Sequence, residues 1–286
     1  VAGDPQASAE EWIDVFEKVR AALGRPRRMV ARPRKPVADY YAEHYVRAPA
    51  VQVSRRLVDL RRSGRVSVVL IPERFNSGML TPCAYIRLLQ PLSHPEIGGD
   101  YDIVLADAEE ALRYRADVVV TQRFAMGGQE AAEALIGHCR EHGISLLYDL
   151  DDDLRRIPRD HPDAELIRPR TKLVSRMVRE ADAVWVSTPA LASALGSLRA
   201  DVLVHENGID ERLWLAGMPP VAPREGPVRV LFMGTMTHDA DFAIVEAALA
   251  RLKAVFGDFV SIDLLGISSK PNLPEWVNRL GMPVQA

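Results

Sequence analysis

The chain has 286 residues, of which 48% are hydrophobic and 26% charged, so it is long enough for a substantial core and for more than one domain. Its formal net charge of -3 gives no whole-chain case for a nucleic-acid partner. The two cysteines, Cys83 and Cys139, lie far apart. That spacing argues against a zinc site or a disulfide framework and fits a reducing, cytoplasmic compartment.

Residues 1–60 differ in pattern from the rest of the chain. Residues 9–23 place apolar side chains at helical spacing, and residues 24–36 are rich in proline and arginine. We therefore predict a helical extension followed by a basic linker. The basic residues are interpreted as a solvated face, with peripheral contact to anionic lipid at the inner face of the membrane as the alternative.

From residue 65 onward, short β-branched runs alternate with amphipathic helical segments, as in parallel βαβ units. Strands are predicted at residues 66–71, 101–105, 118–121, 144–148, 183–186 and 202–205, and helices at residues 128–142 and 170–181. Thr188 before Pro189 is a good N-cap for a further helix. Residues 61–215 are thus predicted to form a doubly wound, Rossmann-like domain.

A second domain is predicted after a proline-rich hinge at residues 216–227. The pattern then gives a strand at 228–232, a helix at 239–256, a strand at 260–265 and a helix at 274–280. This is only half of a nucleotide-binding sheet, so residues 228–286 are predicted to be an incomplete Rossmann-like domain. The expectation is that the chain is a segment of a longer protein.

The most informative stretch is the run from Ile144 to Leu154, where an apolar strand leads into Asp149, Asp151, Asp152 and Asp153. The carboxyl end of a strand is where open α/β sheets bind ligands. Carboxylates this close raise one another's pKa, so the cluster needs a cation, a hydroxyl-rich ligand or helix amides beside it. The alternative is a solvated acidic turn that caps the next helix.

Glycine and polar residues also follow the other predicted strands. They include Gln122 and Arg123 after the third strand, and Gly234 and His238 in the second domain. Glycine allows close backbone approach, and a helix N-terminus favours an anion such as a diphosphate. Two such sets of turns joined by a hinge suggest a ligand cleft between the domains.

One order of elements carries a family resemblance. A strand, Ser187-Thr188-Pro189, a helix, a strand and Glu206-Asn207-Gly208-Ile209-Asp210 are followed by a linker and a strand ending Phe232-Met233-Gly234-Thr235. This order resembles the middle of family 4 glycosyltransferases with the GT-B fold, over roughly residues 65–280. The acidic run from Tyr148 and the Thr237-His238-Asp239-Ala240-Asp241 turn look like a branch found in bacterial polysaccharide synthesis.

The resemblance implies retaining transfer of a sugar from a nucleotide sugar to a glycan or lipid-linked acceptor in cell-envelope polysaccharide synthesis, with no cofactor or metal required. Asp151 and Asp152 stand where family members often carry a catalytic His. The implied donor and phosphate-binding residues are Ser77, Gly78, Gly234, Thr235, Thr237 and His238. The implied acceptor-side residues are Asn76, Thr81, Arg87, Asp149 and Asn207.

The chain departs from the family late in the second domain. Family members carry a Glu-x7-Glu motif and diphosphate-binding basic residues there, and this sequence stops before that region. Glu133 and Glu141 match the spacing, but they lie in a first-domain helix, so the match is interpreted as chance. We therefore expect this polypeptide alone to have little or no transferase activity.

Two other functions stay open. Asp149, Asp151 and Asp153 suit Mg²⁺ or Mn²⁺, which would indicate a metal-dependent transferase or a phosphohydrolase with an aspartate nucleophile. The third possibility is a binding module without catalysis, in which the second domain serves only as a docking surface.

Overall fold

The computed structural model describes residues 57–61, 64–75, 78–159, 161, 163–208, 226–234, 238–266 and 273–280. These residues form two compact units. The first contains the described residues up to Arg156 and from Arg168 to Gly208, and the second contains residues 157–167 and those from Gly226 onward. Each unit is an α/β structure built on a parallel sheet, as predicted.

Eight strands belong to the first unit. They are β1 Val58–Asp59, β2 Val66–Ile71, β3 Tyr101–Leu105, β4 Tyr114–Arg115, β5 Val118–Gln122, β6 Ser145–Leu150, β7 Ala183–Val186 and β8 Val202–Val204. Six of them form a parallel sheet in the order β3-β2-β5-β6-β7-β8, while β1 and β4 pair separately. The predicted strands at 66–71, 101–105 and 183–186 have the observed bounds.

The strand order places a topological switch point between β2 and β5. The chain moves from β2 to β3 on one side of the sheet, and every later strand of the sheet lies on the other side. Val68 of β2 pairs with Val118 of β5 across this point. In doubly wound sheets the crevice beyond the carboxyl ends of the strands at the switch point is the usual ligand site. The fold therefore directs attention to the residues that follow β2, β5 and β6.

Helices pack beside this sheet. The first helical segment consists of α1 Pro82–Ala84, a π-helical stretch Tyr85–Leu89 and α2 Gln90–Ser93. It is followed by α3 Pro95–Gly98, α4 Ala108–Ala111, α5 Gln129–His142, a 3₁₀ turn Arg168–Arg170, α7 Thr171–Glu180 and α8 Pro189–Leu195. The short helix α6 Ala164–Ile167 belongs to the second unit. The core contains Leu70, Leu88, Val120, Leu147 and Trp185, and the expectation that Trp185 is a core residue is confirmed.

β6 extends further than the sequence predicts. The strand was expected to end at Tyr148, but Asp149 pairs with Gln122 of β5, and Leu150 pairs with Val186 of β7. All six residues of β6 are buried. Asp149 is thus a buried strand residue, whereas Asp151, Asp152 and Asp153 follow the strand end.

The start of α8 confirms the predicted cap. Thr188 is the N-cap, its Oγ1 accepts a hydrogen bond from the Leu191 N–H at 3.2 Å, and Pro189 occupies the first turn. We expect Thr188→Ala to lower the free energy of unfolding of the first unit by about 1 kcal/mol. Thr188→Ser, which keeps the hydroxyl, is the matched control for urea denaturation. An equal loss in both variants would contradict a role for this hydrogen bond.

The second unit contains β9 Val228–Met233, α9 Asp239–Phe256, a 3₁₀ turn Gly257–Phe259, β10 Val260–Leu265 and β11 Val277–Leu280. The strands are parallel, in the order β11-β10-β9. Phe242 of α9 packs against Leu264 and Val277, and its ring meets that of Phe232 edge to face at 5.6 Å between centroids.

The predicted helix at residues 274–280 is wrong. Residues 275–276 form a turn, and Val277–Leu280 is a strand that pairs with β10, with Val277 opposite Ile262. The Val277 side chain is buried against Phe242 and Leu264. A four-residue strand has almost no periodicity of its own, so the neighbouring strand rather than the local sequence determines its conformation.

Several predicted features lie outside the described residues. They are the helix at residues 9–23, the basic stretch and all but two residues of the hinge at 216–227, so the domain boundaries stay predictions. Within the described ranges, none of the helices combines the length and apolar character needed to cross a bilayer.

Candidate functional site

Arg87 and Asp149 form a buried ion pair at the centre of the first unit. The side chain of Arg87 is 1% exposed and that of Asp149 is 0% exposed. Arg87 donates from Nη2 to Asp149 Oδ1 at 2.6 Å, and its Nε lies 2.9 Å and 3.0 Å from the two carboxylate oxygens. Arg87 lies in the π-helical stretch, an irregularity that is often found at functional sites.

The same pair extends to β5 and to the segment after β8. Gln122 Nε2 donates to Asp149 Oδ2 at 2.9 Å, and Arg87 Nη1 donates to Asn207 Oδ1 at 2.8 Å and to the His205 carbonyl at 3.1 Å. Burial raises the pKa of Asp149, and the Arg87 charge and the hydrogen bonds from Arg87 and Gln122 oppose that rise. The structure thus brings Arg87, Asp149 and Asn207 together, three residues that the resemblance assigns to the acceptor side.

A second cluster surrounds Arg123, directly after β5. Arg123 Nη1 donates to Asp151 Oδ1 at 2.6 Å and to Asp152 Oδ2 at 3.0 Å, and Arg123 Nε lies 2.9 Å from Glu73 Oε2. Glu73 follows β2, so the cluster joins the ends of β2, β5 and β6 at the switch point. The side chain of Asp151 is 12% exposed, whereas that of Asp152 is 67% exposed. Asp152 is therefore the more solvent-accessible of the two carboxylates.

Arg123 adopts an unusual backbone conformation, because its φ is +45° and it is not a glycine. The neighbouring strand holds it there. Its N–H donates to the Asp149 carbonyl at 3.1 Å, and its own carbonyl accepts from the Tyr148 hydroxyl at 2.8 Å. Such conformations cost energy and cluster at functional sites, where the surrounding structure maintains them.

Burial perturbs the groups around Arg123. It raises the pKa of Glu73, against the opposing effect of the Arg123 charge. Burial also raises the pKa of the Cys83 thiol to about 12, and the nearby Asp151 carboxylate adds to this effect. Cys83 is therefore a thiol at neutral pH.

The remaining aspartate of the acidic run has its own arginine. Arg155 donates to Asp153 Oδ1 from Nε at 2.8 Å and to Oδ2 from Nη2 at 2.9 Å. Asp149, Asp151 and Asp153 thus pair with three different arginines rather than converging on one point. No group of three or more His, Cys, Asp or Glu side chains in the described ranges is arranged to hold a metal ion.

The predicted residues after β2 have local structural roles where the structure describes them. Thr81 is the N-cap of α1 and accepts from the Ala84 N–H at 3.2 Å. Gly78 has a φ of +83°, a conformation that favours glycine, and its N–H donates to the Phe75 carbonyl. Asn76 and Ser77 lie outside the described residues, so their binding roles stay predictions.

In the second unit, Gly234 follows β9 and His238 precedes α9. The Gly234 N–H donates to the Leu265 carbonyl at 3.1 Å. His238 is exposed and its Nδ1 lies 2.7 Å from Asp241 Oδ2 on the first turn of α9. Thr235 and Thr237 are outside the described residues. Phosphate binding by this turn therefore stays a prediction.

His205, after β8, is a buried histidine whose pKa is lowered to about 3, first by burial and then by the Arg87 charge. The unfolded chain binds a proton near the ordinary pKa of about 6.5, whereas the folded chain does not. Stability is therefore present above that pH and is lost as the pH falls. We expect the stability difference between wild type and His205→Gln to narrow from pH 7 to pH 4.5 in urea denaturation. A constant difference would contradict this.

The sequence does not predict Glu73, Arg123, Gln122 or His205 as site residues. Gln122 and Arg123 are recognisable from the sequence only as polar residues after a strand. The available signal was their position at the end of the strand that precedes the acidic strand, since adjacent parallel strands end at the same sheet edge. Which carboxylate each residue meets depends on the register of β5 and β6.

The fold and the cluster define the class of protein: a doubly wound parallel α/β unit with an arginine–carboxylate cluster at its switch point, on a chain with a second parallel α/β unit. No family model matches the chain, and no curated protein matches it. Among solved structures, it is similar to the crystal structure of Anabaena Alr3699/HepE in complex with UDP and glucose, with 13% identity and a TM-score of 0.42. The match covers 77% of this chain and 70% of that chain, and a likeness of this degree establishes no family.

Proposed function

We propose that the chain is a glycosyltransferase, or part of one, with the GT-B fold, which transfers a sugar from a nucleotide sugar to a glycan or lipid-linked acceptor with retention of configuration. The observation that carries the proposal is the cluster of Glu73, Arg123, Asp151 and Asp152 at the switch point of the first unit. The second unit, with its turn from Gly234 to the start of α9, supports a donor-binding role.

In this proposal the acceptor hydroxyl lies against Asp152 and Asp151. The bond between the anomeric carbon and the diphosphate oxygen breaks, and the nucleoside diphosphate leaves with the electron pair of that bond. The acceptor oxygen bonds to the anomeric carbon on the face that the diphosphate leaves, and a carboxylate receives the hydroxyl proton. The exposure of most of the Asp152 side chain supports its contact with the acceptor. Cell-envelope polysaccharide synthesis and a cytoplasmic location at the inner membrane face belong to the same proposal.

The test is release of nucleoside diphosphate from a panel of sugar nucleotides. It compares this chain with any longer form that its gene encodes, each with and without EDTA. Release by either form that is insensitive to EDTA supports the proposal. Release abolished by EDTA favours the metal-dependent alternative, and no release by either favours a binding module. Strong turnover by this chain alone would contradict the expectation that it is inactive.

A further inference from the structure

We propose that Arg123 is a positioning residue, which holds Asp151 and Asp152 at the strand end. The inference rests on the proposed function, because it concerns the carboxylates assigned there to the acceptor hydroxyl. One guanidinium nitrogen, Nη1, contacts both aspartates, at 2.6 Å and 3.0 Å. A single donor therefore fixes two consecutive side chains relative to each other.

Glu73 also contacts the Arg123 guanidinium. It ion-pairs with Nε of the guanidinium, while the aspartates contact Nη1, so carboxylates from two different loops hold one planar group. The fork geometry of arginine suits such contacts, and a lysine ammonium in its place lacks the second set of donors. Rotation of the Arg123 side chain is thus restricted by partners on both sides.

The backbone of Arg123 supports the same conclusion. A non-glycine residue at φ +45° is strained, and two hydrogen bonds with β6 hold it in place. The Tyr148 hydroxyl donates to the Arg123 carbonyl, and the Arg123 N–H donates to the Asp149 carbonyl. Asp151 and Asp152 directly follow the end of β6. The strand that leads into the aspartates therefore also sets the position of the arginine that holds them.

Removing the Arg123 charge would leave three carboxylates in one small region. Burial already raises the pKa of Glu73, and loss of the Arg123 charge would raise that pKa further. The charged and titratable groups that act on Glu73 or its neighbours in the cluster are Arg123, Asp149, Asp151, Asp152, Cys83, Tyr148 and Arg170. Of these, Arg123 contacts both Glu73 and the aspartates, whereas Arg170 stacks on the Phe124 ring at 5.6 Å.

The first experiment needs no activity and uses this chain. Arg123→Met keeps the approximate length of the side chain and removes its charge, whereas Arg123→Lys keeps a charge. We expect Arg123→Met to lower the urea midpoint relative to wild type at pH 8. This difference in midpoint should become smaller toward pH 5, because Glu73 of the folded variant binds a proton that the unfolded chain does not. In Arg123→Lys the deficit should stay nearly constant over that range.

Arg155→Met is the matched control, because Arg155 is similarly buried and pairs with Asp153 of the same acidic run. The contact with Arg155 lowers the pKa of Asp153. The difference in urea midpoint between wild type and Arg155→Met should therefore change only at more acidic pH. The double variant Glu73→Gln/Arg123→Met should lose most of the narrowing between pH 8 and pH 5. Equal, pH-independent deficits in Arg123→Met and Arg123→Lys would overturn the proposal.

The second experiment uses whichever version of the protein releases nucleoside diphosphate. Arg123→Met should reduce the rate about a hundredfold at neutral pH, since the carboxylates lose their fixed geometry. The acid limb of its pH–rate profile should move to higher pH, and Arg123→Lys should restore part of the rate. An unchanged profile would overturn the proposal. Absence of release by wild type would instead refute the proposed function, and the stability experiment would still test Arg123.

Discussion

Arg87→Met is expected to lower the free energy of unfolding of the first unit by about 3–5 kcal/mol, because it leaves the Asp149 carboxylate buried without its counter-charge. Urea-dependent hydrogen exchange of the backbone amides in β5 and β6 measures this loss. These amides report on the first unit alone, since the second unit has its own core. Asn207 and the His205 carbonyl lose a donor in the same variant. We therefore also expect faster exchange in the segment after β8.

Two comparisons separate the buried pair from a general effect of losing an arginine. Arg140 pairs with Glu180 at 2.6 Å on the surface, so Arg140→Met should cost only about 0–1 kcal/mol. The deficit of Arg87→Met should also shrink as the pH falls. Without Arg87, the pKa of Asp149 rises further above that in the unfolded chain, so the folded state gains a stabilising proton. If Arg87→Met and Arg140→Met lowered the free energy of unfolding equally and independently of pH, this account would be contradicted.

The double variant Arg87→Met/Asp149→Leu tests why the pair is present. Replacing both members with apolar side chains removes the uncompensated charge, so stability should recover in part. The recovery should not restore the position of Asn207, which Arg87 Nη1 fixes. If the pair serves function rather than stability, the double variant should fold and yet fail in the sugar-transfer assay.

The sequence was sufficient to predict the sheet of the first unit because its strands are short β-branched runs between amphipathic helices. The sequence was insufficient where the burial and the hydrogen bonds of a residue depend on a partner that is distant in the sequence. The sequence places Asp149 at the end of a strand, and only its contacts with Arg87, 62 residues away, and Gln122 explain why it is buried inside β6. Arg123 shows the same limit, since the register of β5 and β6 sets which aspartates it meets.

β11 shows a different limit. Residues 274–280 contain Trp276 and Val277 between polar residues, a pattern that fits one helical turn as well as a short strand. The pairing of Val277–Leu280 with β10 decides between them, because the backbone hydrogen bonds of β10 need a partner on that edge. Long, strongly periodic elements such as α9 do not have this ambiguity, and its predicted bounds match those observed.

Phe242→Ala is expected to have the second large effect, a loss of about 3–5 kcal/mol in the second unit. The Phe242 side chain is 2% exposed and contacts the core residues of β9, β10 and β11. A loss of this size approaches the whole stability of a small domain, so we expect exchange protection in β10 to disappear. Ile244, on the same helix and 79% exposed, is the matched control, and Ile244→Ala should change stability by no more than about 0.5 kcal/mol.

The same pair of variants tests the assignment of the donor site to the second unit. Gly234 and His238 flank the connection from β9 to α9, and Phe242 anchors α9 to the sheet. Sugar-nucleotide binding, measured by calorimetry on a version that binds it, should therefore be lost in Phe242→Ala and retained in Ile244→Ala. Protection of β6 should be unchanged in both variants. Binding that survives Phe242→Ala, with β10 unprotected, would contradict a donor site in the second unit.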